Sequence, residues 1–181
     1  VQVLGMDGPI WREHLGNQEP QNAAVGRFQD GSAETFVWCR SRYNEHQKPF
    51  VFDSKGKVVF DYAMDDVAPI GWTASGVEVI HTIDWTGAEQ QLACAKERHT
   101  SGSVCLFEPR TGKFVAVFEE KADRLYVADV MDDWREEIIV LNGNELHVYQ
   151  NTATNPRPRH PRLWADRNYR RLKQCHNYYS P

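Results

Sequence analysis

No stretch of the 181-residue chain approaches the roughly 18 consecutive apolar residues that span a bilayer. The first residues, VQVLGMDGPIWREHLG, lack a cationic start followed by an apolar core, so no signal peptide is visible either. A basic excess is also missing. The formal charge of −4 and pI near 6.0 leave no electrostatic footprint for nucleic acid, and an anionic ligand would need a local cationic site. Among Cys39, Cys94, Cys105 and Cys175 there is no C-x-x-C spacing, which argues against a zinc ribbon or a thioredoxin-type site. Cys94 and Cys105 flank the Thr100-Ser101-Gly102 turn, where one residue of register decides whether they meet or face opposite sides. Buried free thiols are the favoured reading.

What the chain does have is enough apolar material for one folded domain, 41% hydrophobic with 12% aromatic residues. Turn signals divide it into units of similar plan. The first has strands near 22–28, 34–42, 48–53 and 57–64, and the second near 77–85, 90–99, 103–108 and 113–119. The third has them near 124–130, 136–142 and 145–150, with 162–170 as its fourth. VFDSKGKVVFDY (51–62) matches LFEPRTGKFVAVF (106–118), with Phe52 and Phe107 55 residues apart; Asp84 and Asp129 are 45 apart. A period of about 40–50 residues with four strands per unit predicts an all-β fold of β-propeller blades, near 22–64, 77–119 and 124–170, with a tail over 171–181. Natural rings use about 4–8 blades, so further blades on the N-terminal side are expected. The segment NTATNPRPRHP (151–161) reads as an extended surface connection.

The most informative stretch is YVADVMDDWREEIIVLNGNELHVY (126–149), which reads as strand, acidic turn, strand, tight Asn142-Gly143 turn, strand. Asp129, Asp133 and Glu137 recur every four residues, a spacing that in a tight loop brings three carboxylates toward one point. Their repulsion is relieved by a hard cation with oxygen ligands, so they are the candidate calcium ligands. The spacing differs from an EF-hand, whose bidentate Glu sits at loop position 12. It is similar to the D-x-D/N-x-D-G-x-x-D/E loop of FG-GAP-type blades, with Met131 and Trp134 departing from that pattern. Asp84 begins a second turn of this kind, but Ala88 and Leu92 stand where acids are wanted, so a structural role is expected there.

The block ADVMDDWREEII, with LYV before it and NGNELHVY after it, and the terminal RLWADRNYRR and NYYSP, resemble the C-terminal part of rhamnogalacturonan lyases of polysaccharide lyase family 11. IDWTG, WREHLG and AAVGRF add to the likeness, which runs from about residue 11 to the end. The resemblance implies part of a propeller of about eight blades, bound Ca2+, a secreted or periplasmic location, and cleavage of an acidic polysaccharide, the pectin backbone, by β-elimination. It implies neither nucleic-acid nor membrane partners. Such a reaction needs a cation on the uronate carboxylate and a base poised near the operating pH.

By the same resemblance Lys121, eight residues before Asp129, is the catalytic base, although Phe118-Glu119-Glu120 replaces the Asn-Gly-Thr that precedes it in the better known branch. Arg40 and Arg42, two apart on one strand and so on one face, are the candidates for a cleft arginine. Tyr178, with Tyr179 adjacent, matches a cleft tyrosine near the chain end. Read from the residues alone, Lys121 is a solvated loop lysine, Tyr178 a packing anchor, and the two arginines partners for nearby acids. Lys96 and Arg98 share a strand face and are candidates for a sugar-binding rim, against the plainer reading of a strand turning polar as it leaves the core. A second function stands beside the lyase, a non-catalytic calcium-binding propeller that recognises glycans or proteins.

Overall fold

The computed structural model describes residues 1–13, 20–41, 49–72, 77–97, 101–157 and 161–174. An N-terminal hairpin pairs β1 (Gln2–Gly5) with β2 (Gly8–Arg12). Next comes a four-stranded meander of β3 (Pro20–Gly26), β4 (Phe36–Ser41), β5 (Phe50–Phe52) and β6 (Val58–Asp61), then a short helix α1 (Met64–Val67). A second meander holds β7 (Val77–Ile83), β8 (Leu92–Glu97), β9 (Val104–Phe107) and β10 (Phe114–Phe118). The third sheet has β11 (Arg124–Ala128), β12 (Glu137–Asn142) and β13 (Glu145–Tyr149). A 3-10 turn (Leu163–Ala165) and helix α2 (Arg167–Gln174) follow.

The sheets lie against one another as layers, and residue alternation along the strands decides which layer each side chain joins. The middle sheet is buried on both sides, which explains why LACAKE and VCLF read as nearly unbroken apolar runs. Ala93, Ala95, Cys105 and Phe107 pack with Trp38 and Val51 of the preceding sheet and with Phe28, just beyond β3. Leu92, Cys94, Val104 and Leu106 face Leu125, Val127, Ile138 and Val140 of the following one. The hairpin covers the far side of the first meander, with Val3 and Trp11 on Cys39 and Phe52. Each fully buried Phe or Leu contributes about 1.5–3 kcal/mol through removal from water.

Two turns show how local chemistry sets register. The β12–β13 connection centres on Gly143 and Asn144, one residue later than the Asn-Gly signal predicts, with Gly143 at φ 61°. The β8–β9 register sets Cys94 opposite Leu106 and Ala95 opposite Cys105, so the two thiols point into different layers and stay free. Burial pushes both thiols well up in pKa.

Two expectations are corrected. The four sheets are discrete antiparallel units of two, four, four and three strands, and none closes on itself or curls, so the described residues do not form β-propeller blades. The spacing of Phe52 and Phe107 reports a repeated meander, and a meander is set by local turns that carry no instruction for ring closure. With the propeller goes the expected likeness in fold to the C-terminal part of a family 11 rhamnogalacturonan lyase. The second correction concerns 162–170, which is helical: the Asp166 carboxylate accepts the amide of Asn168 at 2.6 Å and starts α2 as an N-cap.

Candidate functional site

The β11–β12 connection is rich in charge, with Asp129, Asp132, Asp133, Arg135 and Glu136 in eight residues. Asp132 and Trp134 take left-handed φ values of 61° and 72°, a conformation that side chains with a Cβ rarely adopt. This double inversion folds the chain tightly enough to place Asp129, Asp133 and Glu137 around one loop. Their environments then diverge. Asp133 is held by Arg135, which bonds it through its amide at 2.9 Å, through Nε at 3.0 Å and through Nη2. That pairing outweighs the upward push of burial and holds the Asp133 carboxyl below its ordinary range. Glu137 Oε2 accepts the amides of Val130 and Met131 at 2.8 and 3.1 Å, closing the loop onto the start of β12.

Asp129 differs from both. It is 1% exposed, and neither carboxylate oxygen has a hydrogen-bond partner. Burial pushes its pKa up; the nearby amides of Asp132 and Asp133 offset part of that cost without meeting hydrogen-bond geometry, while their carboxylates add to it. Burial likewise raises Glu137, with Asp133 and Asp129 adding to the push against its two amide bonds. The backbone of Asp129 is fully used: its amide donates to the Tyr169 hydroxyl at 2.8 Å and its carbonyl accepts the Trp164 indole N–H. The unbonded carboxylate is therefore held in place by a rigid frame.

Behind this corner lies a hub that the sequence does not announce. Glu136, 4% exposed, accepts the Tyr169 hydroxyl at 3.0 Å and the Asp84 amide at 3.0 Å, and pairs with Lys173 at 2.6 Å. Its own amide donates to the Asp84 carbonyl at 3.0 Å, so the two acidic turns are tied together by their backbones. A structural role for the Asp84 turn follows from this tie. Arg157 clamps the outside by stacking on Trp134 at 4.2 Å while bonding the carbonyls of Gly87 and Ala88.

The remaining expected site residues are not gathered here. Lys121 is exposed three residues ahead of β11, whereas Asp129 follows the other end of that strand, so the strand's length lies between them. Lys121 lines a shallow depression with Ser101, Ser103, Glu119, Glu120 and Asn142. Lys96 is turned inward and donates to the Ala122 carbonyl at 2.8 Å, with Glu78 3.7 Å away, which makes it an internal tie of the layers. Arg40 sits on β4 opposite Gln21. Arg42, Arg98, Tyr178 and Tyr179 lie outside the described residues.

Among the described residues no group of three or more His, Cys, Asp or Glu side chains is gathered at metal-binding range. Likewise, no helix among them is long and apolar enough to cross a membrane. Comparison with known protein families, curated proteins and solved structures finds no match to this chain. The expectation of a rhamnogalacturonan lyase is corrected on these grounds. No matching family supports that identity, and the discrete sheets supply no ring whose central cleft could assemble a base, an arginine and a cation around a uronate. Pectin degradation and carbon–oxygen lyase activity fall with it.

Proposed function

We propose that the β11–β12 corner of this chain takes a hard divalent cation of the calcium class on Asp129, with Glu137 beside it. The observation that carries this reading is the Asp129 carboxylate, buried to 1% exposure with both oxygens unbonded. A buried carboxylate with no well-formed hydrogen bond is costly, and it lowers that cost by binding a proton or a cation. Glu137 adds negative charge at the same place, which favours the cation near neutral pH.

Asp133 is committed to Arg135, so the cation would draw on two carboxylates and complete its shell with backbone carbonyls and water. Fewer charged ligands mean weaker binding, in the range of about 10⁻⁴–10⁻³ M seen for extracellular calcium modules. Mg2+ is a poorer fit, because it demands a near-ideal octahedron and gives up its water reluctantly. Isothermal titration of the whole protein tests this reading. Saturable heat with CaCl2 that weakens with MgCl2 and vanishes in Asp129→Asn is expected; no saturable heat up to ~10 mM calcium would remove the proposal.

A further inference from the structure

The third sheet stops one strand short of its neighbours. In the two complete meanders the third strands, β5 and β9, are bonded on both sides, whereas β13 has a neighbour on one side only. The outer strands of those meanders are blunted by irregularity: the β9–β10 register shifts between Phe114 and Ala116, and the β5–β6 register shifts between Val51 and Phe52. The β12–β13 ladder runs from Asn142↔Glu145 to Ile138↔Tyr149 without a shift. A regular edge of this kind is a ready template for another strand.

Register fixes which groups the edge offers. The two-residue turn makes Asn142↔Glu145 a hydrogen-bonded pair, so His147 and Tyr149 also bond inward to β12. The carbonyl of Leu141 confirms the parity, since it accepts the Asp123 amide on the β11 side. The N–H and C=O groups of Leu146 and Val148 therefore point away from the sheet. Among the described residues no hydrogen bond reaches them. Their side chains are 66% and 42% exposed, with no charge on this alternate set to discourage pairing.

We infer that β13 is a self-association edge whose partner is the β13 strand of a second copy of this chain, running antiparallel about a two-fold axis at His147. The edge is complementary to itself. With His147 opposite His147 of the second copy, each Leu146 meets the other copy's Val148 in a hydrogen-bonded pair, and four main-chain bonds extend the β11–β12–β13 ladder into a continuous sheet. Leu146 and Val148 then cover one another on one face. On the other face each imidazole keeps its own carboxylates, Nδ1 to Glu120 at 2.7 Å and Nε2 to Glu145 at 3.2 Å, so the two rings meet charge-compensated. A five-residue edge buries less than the roughly 1,200 Å² of a stable interface, and the dimer is accordingly weak and concentration-dependent.

Sedimentation velocity across a concentration series tests the inference, together with two variants. Val148→Pro removes only an outward donor, because residue 148 sits in a non-bonded pair with Ile139; the variant should keep the wild-type circular dichroism and stay monomeric. His147→Cys places two thiols across the axis at a non-bonded pair, about 4.5 Å between Cα atoms and within disulfide range. Mild oxidation should give a dimer whose only intermolecular link maps to Cys at position 147 in both copies. A wild-type monomer at every concentration overturns the inference, as does a dimer that Val148→Pro leaves unchanged and that forms no such link.

Discussion

Lys173 Nζ lies 2.6 Å from Glu136 Oε1 and 2.6 Å from the carbonyl oxygen of Val127, with both side chains less than a tenth exposed. One ammonium thus neutralises the hub behind the acidic corner and also occupies the outward backbone of β11. The Tyr169 ring stands 5.2 Å from the ammonium, and Tyr126 donates its hydroxyl to the Lys173 carbonyl. With His81 Nε2 3.3 Å from the Leu125 carbonyl, the lysine helps to close the outer edge of β11.

Removing one partner of a buried ion pair leaves the other charge uncompensated, which costs about 3–5 kcal/mol. Lys173→Met should therefore lower unfolding stability by about 3–5 kcal/mol in chemical denaturation, and Glu136→Gln alone should do comparable harm. The double variant should recover part of the loss, because no orphaned charge remains. If Lys173→Met proves neutral, the pair is not what fixes α2 to the sheets.

Tyr62 joins the first two meanders. Its hydroxyl accepts the Trp38 indole N–H at 2.8 Å and donates to the Pro109 carbonyl at 2.9 Å. Burial pushes the phenol up in pKa, so it remains a neutral donor throughout the working range. Tyr62→Phe leaves a buried indole N–H and a carbonyl without partners and should cost about 1–3 kcal/mol, read as a lower denaturation midpoint at unchanged m-value.

The Glu120 cluster makes stability depend on pH from both sides. Burial by itself would raise Glu120, but hydrogen bonds from Tyr149, His147 and Asn142 outweigh it and hold the carboxyl below its ordinary 4.5. Its contribution is present above that value and is lost as pH falls through the lowered one. His147 is raised above its ordinary 6.5 by its bonds to Glu120 and Glu145. Its contribution is complete below 6.5 and is lost as pH rises through the raised value. Denaturation midpoints should accordingly decline as pH rises above 6.5, and His147→Gln should flatten that decline while leaving the acid limb in place. An identical alkaline slope in both proteins would remove His147 from the account.

The strands were legible because their signals are local. Alternation in ELHVY, the apolar run of VCLF and the Gly-containing turns each act within a few residues, and the strands from β3 to β13 lie within a few residues of the expected ones, whereas the β1–β2 hairpin was not expected. Ring closure is a long-range property, and a repeat of strand and turn does not encode it. The helix at 167–174 stands where the aromatic and apolar residues of 162–170 suggest a strand, although Asp166 is where an N-cap belongs and Tyr169 and Leu172 have helical spacing. At the acidic corner the four-residue recurrence of Asp129, Asp133 and Glu137 was visible, but the capture of Asp133 by Arg135 depends on the left-handed turn at Trp134. Lys173 was hidden for a different reason. Its burial rests on a partner, Glu136, 37 residues away, and nothing in its own neighbourhood marks it.

Thermal unfolding of the wild type and Asp129→Asn, each with chelator and with calcium near neutral pH, tests the central claim most directly. With chelator, Asp129→Asn should unfold at a higher temperature than the wild type, because the substitution removes a buried charge that no well-formed hydrogen bond compensates. Calcium should raise the wild type by mass action and leave the variant unmoved. A wild type indifferent to calcium but stabilised by mild acid would show that Asp129 meets its burial by taking up a proton, and the cation-binding reading would be wrong.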